Sequence, residues 1–287
     1  MSLLVGTTNG LIRLEDGAHL IEATRINHVT RSGDDWWAVD GRHRVLRNGD
    51  VVATLPDRAV AICVQPTPET VWVGSDRARL FAIEDGEVAV DEFFATSPGR
   101  DTWHTPWGGP AAVRSMTLDA DRTLYVNVHV GGLLRYDDTG LAPTVDIDSD
   151  VHQVAAHPSR QGVVYAATGW GLAGTHNGHD FNFRTEGLDA QYCRALLVLE
   201  DSVLVSASTG PSSTRGRIYR ADLNDGPLVP LAEGLPTWFE GNIDTHCLAV
   251  RADSVYAGMG DTVWASVDEG SSWVVAASGL GSITCLG

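Results

Sequence analysis

Three histidines stand at equivalent places in this chain and could together bind a metal ion. His28, His152 and His246 each lie where an apolar, β-rich segment begins, in a sequence with 10 histidines among 287 residues. Imidazole nitrogens are common ligands of catalytic zinc, copper and iron, and such sites keep one coordination position open. We therefore predict that these three histidines bind one divalent transition metal, which is copper, iron or zinc.

Two arginines stand at the same place in other segments. The seven equivalent places hold Thr284, His28, Ala61, Arg114, His152, Arg194 and His246. A guanidinium group forms paired hydrogen bonds with carboxylates and phosphates. Arg114 and Arg194 are therefore predicted to bind an anionic group of a small-molecule substrate. The same residues without a metal would form a His/Arg pocket for an anion, and this alternative stays open.

Two long connecting segments, 97–110 and 235–244, carry aromatic and titratable residues close to these places. Long loops on a rigid scaffold often form ligand sites. We predict that His104, His129 and Glu240 act in catalysis, the two histidines as acids or bases, as substrate-orienting groups or as a further metal ligand. Glu240 and Asp244 could instead orient a ligating histidine. The other predicted substrate contacts are Trp107, Trp238, Trp170 and Tyr192.

These residues can meet only if the segments that carry them surround one axis. Seven segments repeat a β-rich run, a turn, a second β-rich run and an Asp/Gly turn; they begin at residues 3, 34, 69, 123, 162, 201 and 253. Units of roughly 40–50 residues with four strands are typical of β-propeller blades. The sequence therefore predicts an all-β fold, a single seven-bladed β-propeller over residues 1–287.

The first of the seven segments has no apolar strand before it, whereas the other six do. The missing inner strand is predicted at the other end of the chain, in residues 282–287, SITCLG. If this strand pairs with the strand that begins at Leu3, the ring closes and no sheet edge stays exposed.

One turn matches a known motif. Residues 266–273, Ser-Val-Asp-Glu-Gly-Ser-Ser-Trp, fit the Asp-box pattern S-x-D-x-G-x-x-W, and a degenerate copy spans 175–181. The chain therefore resembles the Asp-box, or bacterial neuraminidase repeat, propellers, which include sialidases, sortilin-like domains and a photosystem II assembly propeller. The resemblance implies a structural turn for Asp268. Sialidase activity is not expected, because only Arg114 and Arg194 align with that family's catalytic residues.

The composition excludes several function classes. The net charge is −17, and all 20 basic residues are arginine, so the chain has no lysine for Schiff-base chemistry. The acidic balance disfavours nucleic acid and anionic membranes as partners. No signal peptide or membrane span is evident, and four widely separated cysteines suggest buried thiols. We therefore expect a cytoplasmic protein.

Two functions from different classes remain. The first is a metalloenzyme that acts on a small, anionic molecule at the channel mouth, either as a hydrolase or lyase or as an oxidoreductase. The second is a propeller without enzymatic activity whose face binds a protein partner, as in assembly factors. The sequence does not define an oligomeric state.

Overall fold

Short strands in seven consecutive groups form seven four-stranded antiparallel sheets, which are the blades of a β-propeller. The computed structural model describes residues 2–105, 108–137 and 140–287, so the predicted substrate contact Trp107 lies outside the described residues. The predicted seven-bladed fold is confirmed. Apolar side chains on both faces of each sheet pack against the neighbouring blades, so the core is divided into clusters between blades.

The strands follow one another from the channel outwards within each blade. Blade 1 contains β1 (Leu4–Thr7), β2 (Gly10–Arg13) and β3 (His19–Glu22). Blade 2 contains β4 (Ile26–Ser32), β5 (Asp35–Asp40), β6 (Arg44–Arg47) and β7 (Asp50–Thr54). Blade 3 contains β8 (Ala61–Pro66), β9 (Val71–Ser75), β10 (Leu80–Glu84) and β11 (Glu87–Val90). Blade 4 contains β12 (Ala112–Leu118), β13 (Leu124–His129), β14 (Gly132–Asp137) and β15 (Gly140–Val145).

The remaining strands complete the ring. Blade 5 contains β16 (Val151–Ala156), β17 (Val164–Thr168), β18 (Gly171–Thr175) and β19 (Asn182–Arg184). Blade 6 contains β20 (Tyr192–Val198), β21 (Ser202–Ser208), β22 (Gly216–Asp222) and β23 (Val229–Pro230). Blade 7 contains β24 (Leu248–Arg251), β25 (Ser254–Met259), β26 (Thr262–Ser266) and β27 (Val274–Ala277). The last strand, β28 (Ile283–Leu286), belongs to blade 1.

The two ends of the described chain meet in blade 1. β28 pairs antiparallel with β1, with Val5 opposite Leu286 and Gly6 opposite Cys285. A side chain at position 6 would not fit, because a Cβ there would lie 2.4 Å from the Cys285 sulfur. The predicted closure of the ring by residues 282–287 is therefore confirmed.

The helical segments are short. In the part of the chain that the structure describes, they are the α-helix α1 (Glu92–Ala95) and three 3₁₀ turns, Pro56–Arg58, Arg100–Thr102 and Ile147–Ser149. None of the helices within the described ranges has the length and apolar character of a membrane span.

The inner strands share an irregularity near one end, which defines what we call the upper face. In six blades their pairing with the second strand shifts by one residue, so an extra residue is inserted as a β-bulge. These bulge residues are Thr284, Asn27, Ile62, Arg114, His152 and Arg194. In blade 6, Arg194 and Ala195 both lie opposite Ser206. His246 occupies the equivalent place in blade 7, directly before Cys247, with a left-handed φ of 65°.

The residue after the bulge links neighbouring blades. In three blades its side chain accepts a hydrogen bond from a backbone N–H of the next inner strand. The acceptors are His28, Ser115 and Gln153, and the donors are the N–H groups of Val64, Val154 and Leu196, at 3.1, 3.0 and 3.2 Å. In these three blades the residue after the bulge therefore joins the ring, and the bulge residues Asn27 and His152 add a contact with a carbonyl group of the next inner strand.

Candidate functional site

The bulges correct the predicted set of equivalent residues. In blades 2 and 3 the bulge residues are Asn27 and Ile62, each one position away from the predicted His28 and Ala61. His28 instead contacts His246, with the ring centroids 4.0 Å apart, and accepts the hydrogen bond of Val64. His28 therefore belongs to the wall of the channel and to the links between blades.

A different group of ligand-type residues comes together at the upper face. His129, Asp150 and His152 have side-chain N and O atoms that all lie within 4.8 Å of one another. Among the described residues this is the only group of three or more His, Cys, Asp or Glu side chains with that spacing. The predicted set of His28, His152 and His246 does not form such a group, so the histidines do not converge on one axial ion.

Three different elements position this His/Asp cluster. His129 ends β13, and His152 is the bulge residue of β16. Asp150 follows the 3₁₀ turn Ile147–Ser149 and has a left-handed φ of 49°. Its backbone carbonyl accepts a hydrogen bond from the N–H of Gly169, at 3.0 Å. A Cβ on Gly169 would lie 3.2 Å from the Asp150 carboxylate, so glycine leaves room for this approach.

The hydrogen bond at Nδ1 of His152 determines the tautomer of the ring, and thus whether Nε2 carries a proton. The Nδ1 atom lies 2.6 Å from the carbonyl oxygen of Cys193, which only accepts, so Nδ1 carries the proton. In the neutral ring the Nε2 atom is then a lone-pair donor. This atom is buried and has no hydrogen-bond partner, and it lies 3.3 Å from Oδ2 of Asp150. Two acceptors at this distance need a proton or a metal cation between them.

The electrostatics keep the cluster ready to bind a cation. Burial raises the pKa of Asp150, but the neighbouring His129 and His152 rings outweigh burial and hold that pKa well below its usual value. Burial lowers the pKa of His129, and the nearby Arg114 charge adds to this effect, against the opposing Asp150 hydrogen bond. The cluster therefore holds an ionised carboxylate beside a His129 ring that favours its neutral form.

The two predicted anion-binding arginines flank His152. Arg114 and Arg194 are the bulge residues of blades 4 and 6, on either side of blade 5. Both contact the carboxylate of Asp244, at 3.4 and 3.3 Å, and this carboxylate is 49% exposed. Asp244 thus neutralises part of the charge that a substrate anion would use. The role of Asp244 differs from the predicted one, which was to orient a ligating histidine.

Tyr192 lies against the same ring. Its aromatic ring contacts His152 edge to face, with the centroids 4.6 Å apart, and the Arg194 guanidinium lies 5.7 Å from the Tyr192 ring centroid. Burial raises the pKa of Tyr192, and the negative charge of Asp150 adds to this effect. The phenol therefore stays protonated at neutral pH and remains a hydrogen-bond donor.

Two cavities open at the upper face, and the first of them borders the cluster. One, of about 310 Å³, is lined by Asp150, Trp170 and Tyr192 together with Val130, Ile147, Asp148 and Gly169. The Trp170 ring is 60% exposed and forms an apolar rim of this cavity. Its indole N–H donates a hydrogen bond to the Asp148 carbonyl at 2.8 Å, which holds the ring in place. The other cavity, of about 200 Å³, lies in the channel mouth, where Arg114, Asp244 and His246 form part of its wall.

Other predicted site residues lie apart from the cluster. The Nδ1 atom of His104 lies 2.7 Å from the carbonyl oxygen of Thr102, a contact within its own loop. Trp238 packs between the guanidinium groups of Arg215 and Arg217, each 4.8 Å from the ring centroid. Glu240 is exposed to solvent. Neither upper cavity has any of these three as a lining residue.

His246 marks the boundary between the upper mouth and the rest of the channel. It lines the cavity of about 200 Å³ at the channel mouth and a larger chamber below that cavity. Its Nε2 atom lies 3.2 Å from the Arg114 carbonyl oxygen. Burial lowers the pKa of His246 to about 4. Burial also holds the pKa of His28 well below its usual value, and the neighbouring His246 strengthens this effect. Both rings are therefore neutral at physiological pH.

Asp150 is the site residue that sequence analysis did not identify. The signal available was its place two residues before His152, in the run Asp148-Ser-Asp150-Val-His152. His129 was identified as an acid, base or additional ligand, and the structure places it in the cluster. The other cluster member among the predicted ligands is His152.

The Asp-box turn has a structural arrangement. Asp268 accepts hydrogen bonds from the backbone N–H and the hydroxyl of Ser272, at 2.8 and 2.6 Å. Trp273 is buried and donates its indole N–H to the Gly270 carbonyl at 2.9 Å. In the degenerate copy, Asn177 accepts from the backbone N–H of His179 in the same manner. Both turns join the third and fourth strands of their blades, away from the channel.

The comparisons with known proteins support the fold. No protein-family model and no curated protein sequence matches the chain. A catalytically inactive virginiamycin B lyase from Staphylococcus aureus, solved with quinupristin, is similar with a TM-score of 0.67 and 12% identity over 88% of this chain and 84% of that one. A streptogramin B lyase structure has a TM-score of 0.66 and 9% identity, with 87% and 82% covered.

An enzyme of another class shares the architecture. An ancestral GH74 enzyme is similar with a TM-score of 0.63 and 13% identity over 100% of this chain and 39% of that one. These identities indicate a shared fold alone, because propellers carry many unrelated functions. The comparisons thus define the chain as a seven-bladed propeller and give no support for membership of the Asp-box family.

Proposed function

We propose that this protein is a metal-dependent enzyme that acts on a small anionic molecule at the upper mouth of the channel, with the metal held by His129, Asp150 and His152. One observation carries the proposal, which is the buried Nε2 lone pair of His152 facing the Asp150 carboxylate at 3.3 Å. A buried polar atom without a partner costs free energy, and a bound cation would satisfy it.

The spacing of the donor atoms fits a small divalent ion. Metal–nitrogen bonds of about 2.0–2.1 Å in a tetrahedral site separate neighbouring ligand atoms by about 3.3 Å. Oδ1 of Asp150 lies 3.2 Å from Nε2 of His129, its Oδ2 lies 3.3 Å from Nε2 of His152, and one ligand atom from each of the three residues lies within 4.8 Å of the others. Two imidazoles and one carboxylate occur in catalytic zinc and non-haem iron sites, and both kinds keep positions open.

The surroundings of the cluster suggest the class of substrate. A bound metal would polarise a carbonyl or phosphoryl oxygen or activate water. Arg114 and Arg194 would hold an anionic group next to this position, once the substrate displaces the half-exposed Asp244 carboxylate. Trp170 and Tyr192 would contact the rest of the molecule in the cavity of about 310 Å³. A hydrolase or lyase and an oxidoreductase both remain compatible with this site.

Metal binding to protein produced without an affinity tag tests the proposal. Titration calorimetry with zinc should give one site per chain in the wild-type protein. Asp150→Asn and His152→Ala should each lower the affinity by about 10- to 100-fold or more. His19→Ala is the matched control, because His19 is an exposed histidine on the outer strand β3. This control variant should bind zinc as the wild-type protein does.

The titration also separates the two alternatives. If none of zinc, iron(II) and copper(II) binds with this pattern, a proton occupies the space between His152 and Asp150. The site is then the metal-free His/Arg pocket and the metalloenzyme proposal is wrong. If zinc binds but His19→Ala weakens binding as much as His152→Ala does, the ion is bound at the surface and the proposal is again wrong.

A further inference from the structure

The channel contains a second chamber on the side opposite the bulges. It has a volume of about 300 Å³ and is lined by the inner strands of all seven blades. Many of its wall residues are aliphatic, including Met116, Leu196, Leu248 and Leu286. The contact between His28 and His246 lies at its upper end. This lower chamber is therefore separate from the His/Asp cluster, which lines none of it.

Two arginines face this lower chamber from the ends of their strands. Arg31 lies near the end of β4 in blade 2, and Arg251 is the last residue of β24 in blade 7. Blade 1, which contributes Leu286 and Gly287 to the wall, lies between their two blades. The strand geometry thus brings two guanidinium groups to the same mouth of the channel.

Neither arginine is neutralised. Within the described residues, Arg31 and Arg251 form no ion pair with any carboxylate, and the Nε atom of each is buried without a hydrogen-bond partner. The hydrogen bond that the Arg31 side chain donates goes to a neutral acceptor, the Ser2 carbonyl, at 2.7 Å. By contrast, Arg114 and Arg194 at the upper mouth share the Asp244 carboxylate.

The two charges act on each other. Burial lowers the pKa of Arg31, and the positive charge of Arg251 lowers it further. Repulsion between like charges in a partly desolvated chamber destabilises the folded protein. The arrangement is notable in a chain of net charge −17, where carboxylates are abundant and none pairs with these two groups within the described ranges. An anion bound between the two groups would remove the repulsion and occupy both orphaned donors.

We propose that the lower chamber is a binding site for a small oxyanion, which Arg31 and Arg251 hold jointly through charge-assisted hydrogen bonds. Thr117 lines the chamber, and its hydroxyl already accepts the Ala156 N–H at 3.1 Å, so its proton remains to be donated to a ligand. A volume of about 300 Å³ is at the lower limit for small-molecule sites, so the ligand is a free phosphate, a sulfate or a compact phosphate ester.

Inorganic phosphate is the first probe. Calorimetric titration of the full chain at constant ionic strength should show a saturable site that depends on Arg31 and Arg251, with a matching rise in the melting temperature. Arg31→Gln and Arg251→Gln should each weaken phosphate binding by about tenfold or more. Arg58→Gln is the matched control, because Arg58 is exposed in a surface turn. This variant should bind phosphate as the wild-type protein does.

Further titrations identify the chemical form of the anion and test whether it binds at the upper mouth instead. Titrations with sulfate and with glycerol phosphate distinguish a free oxyanion from a phosphate ester by which of the three probes binds most tightly. Phosphate binding that persists in Arg114→Gln and is weakened in Arg31→Gln and Arg251→Gln belongs to the lower chamber and not to the upper mouth. The melting temperature without phosphate should stay equal or rise in Arg251→Gln, because one of two repelling charges is removed. This result shows that a loss of binding is not a loss of fold.

Two results would overturn the proposal. The first is that phosphate, sulfate and glycerol phosphate all fail to bind to the wild-type protein. The second is that Arg114→Gln abolishes phosphate binding while the two lower arginine variants keep it, which would place the anion in the upper mouth. Neither result depends on metal, so the proposal for the His/Asp cluster is tested separately.

Discussion

The Nδ1 atom of His152 lies 2.6 Å from the carbonyl oxygen of Cys193, in the inner strand of the next blade. This one contact fixes the tautomer of His152 and directs its Nε2 atom at Asp150. A hydrogen bond that fastens blade 5 to blade 6 therefore also prepares the candidate metal ligand. The same hydrogen bond therefore contributes both to the assembly of the ring and to the geometry of the candidate site.

The tautomer can be observed directly. In metal-free protein at neutral pH we expect nitrogen NMR to show a protonated Nδ1 on His152. Addition of zinc should change the Nε2 resonance and leave the Nδ1 proton in place, because the Cys193 carbonyl keeps it. An Nδ1 that loses its proton on zinc addition would contradict this assignment.

His28 should matter for stability and not for metal. His28→Ala leaves the N–H of Val64 unpaired in a buried position, so we expect the free energy of unfolding to fall by about 1–3 kcal/mol. Ser115→Ala is the matched variant, because Ser115 accepts the Val154 N–H from the equivalent position. Urea denaturation measures both losses. Zinc affinity should be unchanged in each variant, and a folded His28→Ala protein without zinc binding would contradict the His/Asp cluster as the metal site.

The buried histidines predict a pH dependence. His246 has a pKa of about 4 in the folded protein, whereas an unfolded chain takes up that proton near pH 6.5. Between these values the unfolded state binds more protons, so stability is fully present above about pH 6.5 and falls as the pH drops towards 4. Urea midpoints across this range should decrease less steeply in His246→Gln than in the wild-type protein. Equal slopes would show that His246 does not titrate in this way.

Asp244 should compete with anions for the two upper arginines. In Asp244→Asn the guanidinium groups lose their carboxylate, so we expect a small loss of stability, about 1 kcal/mol or less, in chloride. Added acetate should then raise the melting temperature more in Asp244→Asn than in the wild-type protein. The double variant Arg114→Gln/Asp244→Asn should lose this extra effect. An equal response of all three proteins would show that the arginine pair does not bind carboxylates.

Asp268 should be structural and without effect on the site. Its carboxylate accepts two hydrogen bonds from Ser272, which hold the turn between β26 and β27. Asp268→Ala should therefore lower the melting temperature and leave zinc affinity unchanged. Asp268→Asn, which keeps an acceptor oxygen, should recover most of the loss. Impaired zinc binding in a stably folded Asp268 variant would contradict the structural role.

The repeats carried enough information to predict the fold. Each blade repeats the same order of strands and turns, and the first blade lacked one strand that only residues 282–287 could supply. Hydrophobic burial and sheet pairing then leave few alternatives. The number of blades and the closure of the ring were therefore accessible from the order of apolar runs.

The site was harder to predict, because it depends on single-residue register. Asn27 and His28 are adjacent, and only the bulge decides which of them stands at the upper mouth. Asp150 reaches the cluster through a left-handed backbone conformation after a 3₁₀ turn, and the local sequence does not predict this conformation. The positions of His104 and Trp238 depend on the course of long loops, which local residue patterns do not determine.

In blade 4 the bulge residue lines the mouth and the next residue links two blades, which affects how the binding surface can evolve. A substitution at Arg114 alters the lining of the mouth, while Ser115 goes on linking blades 4 and 5. The bulge residues Asn27, His152 and Thr284 differ from Arg114, because their side chains also contact a carbonyl group of the next inner strand. Variation confined to bulge positions without such a contact would therefore sample new ligands while the links between the blades are retained.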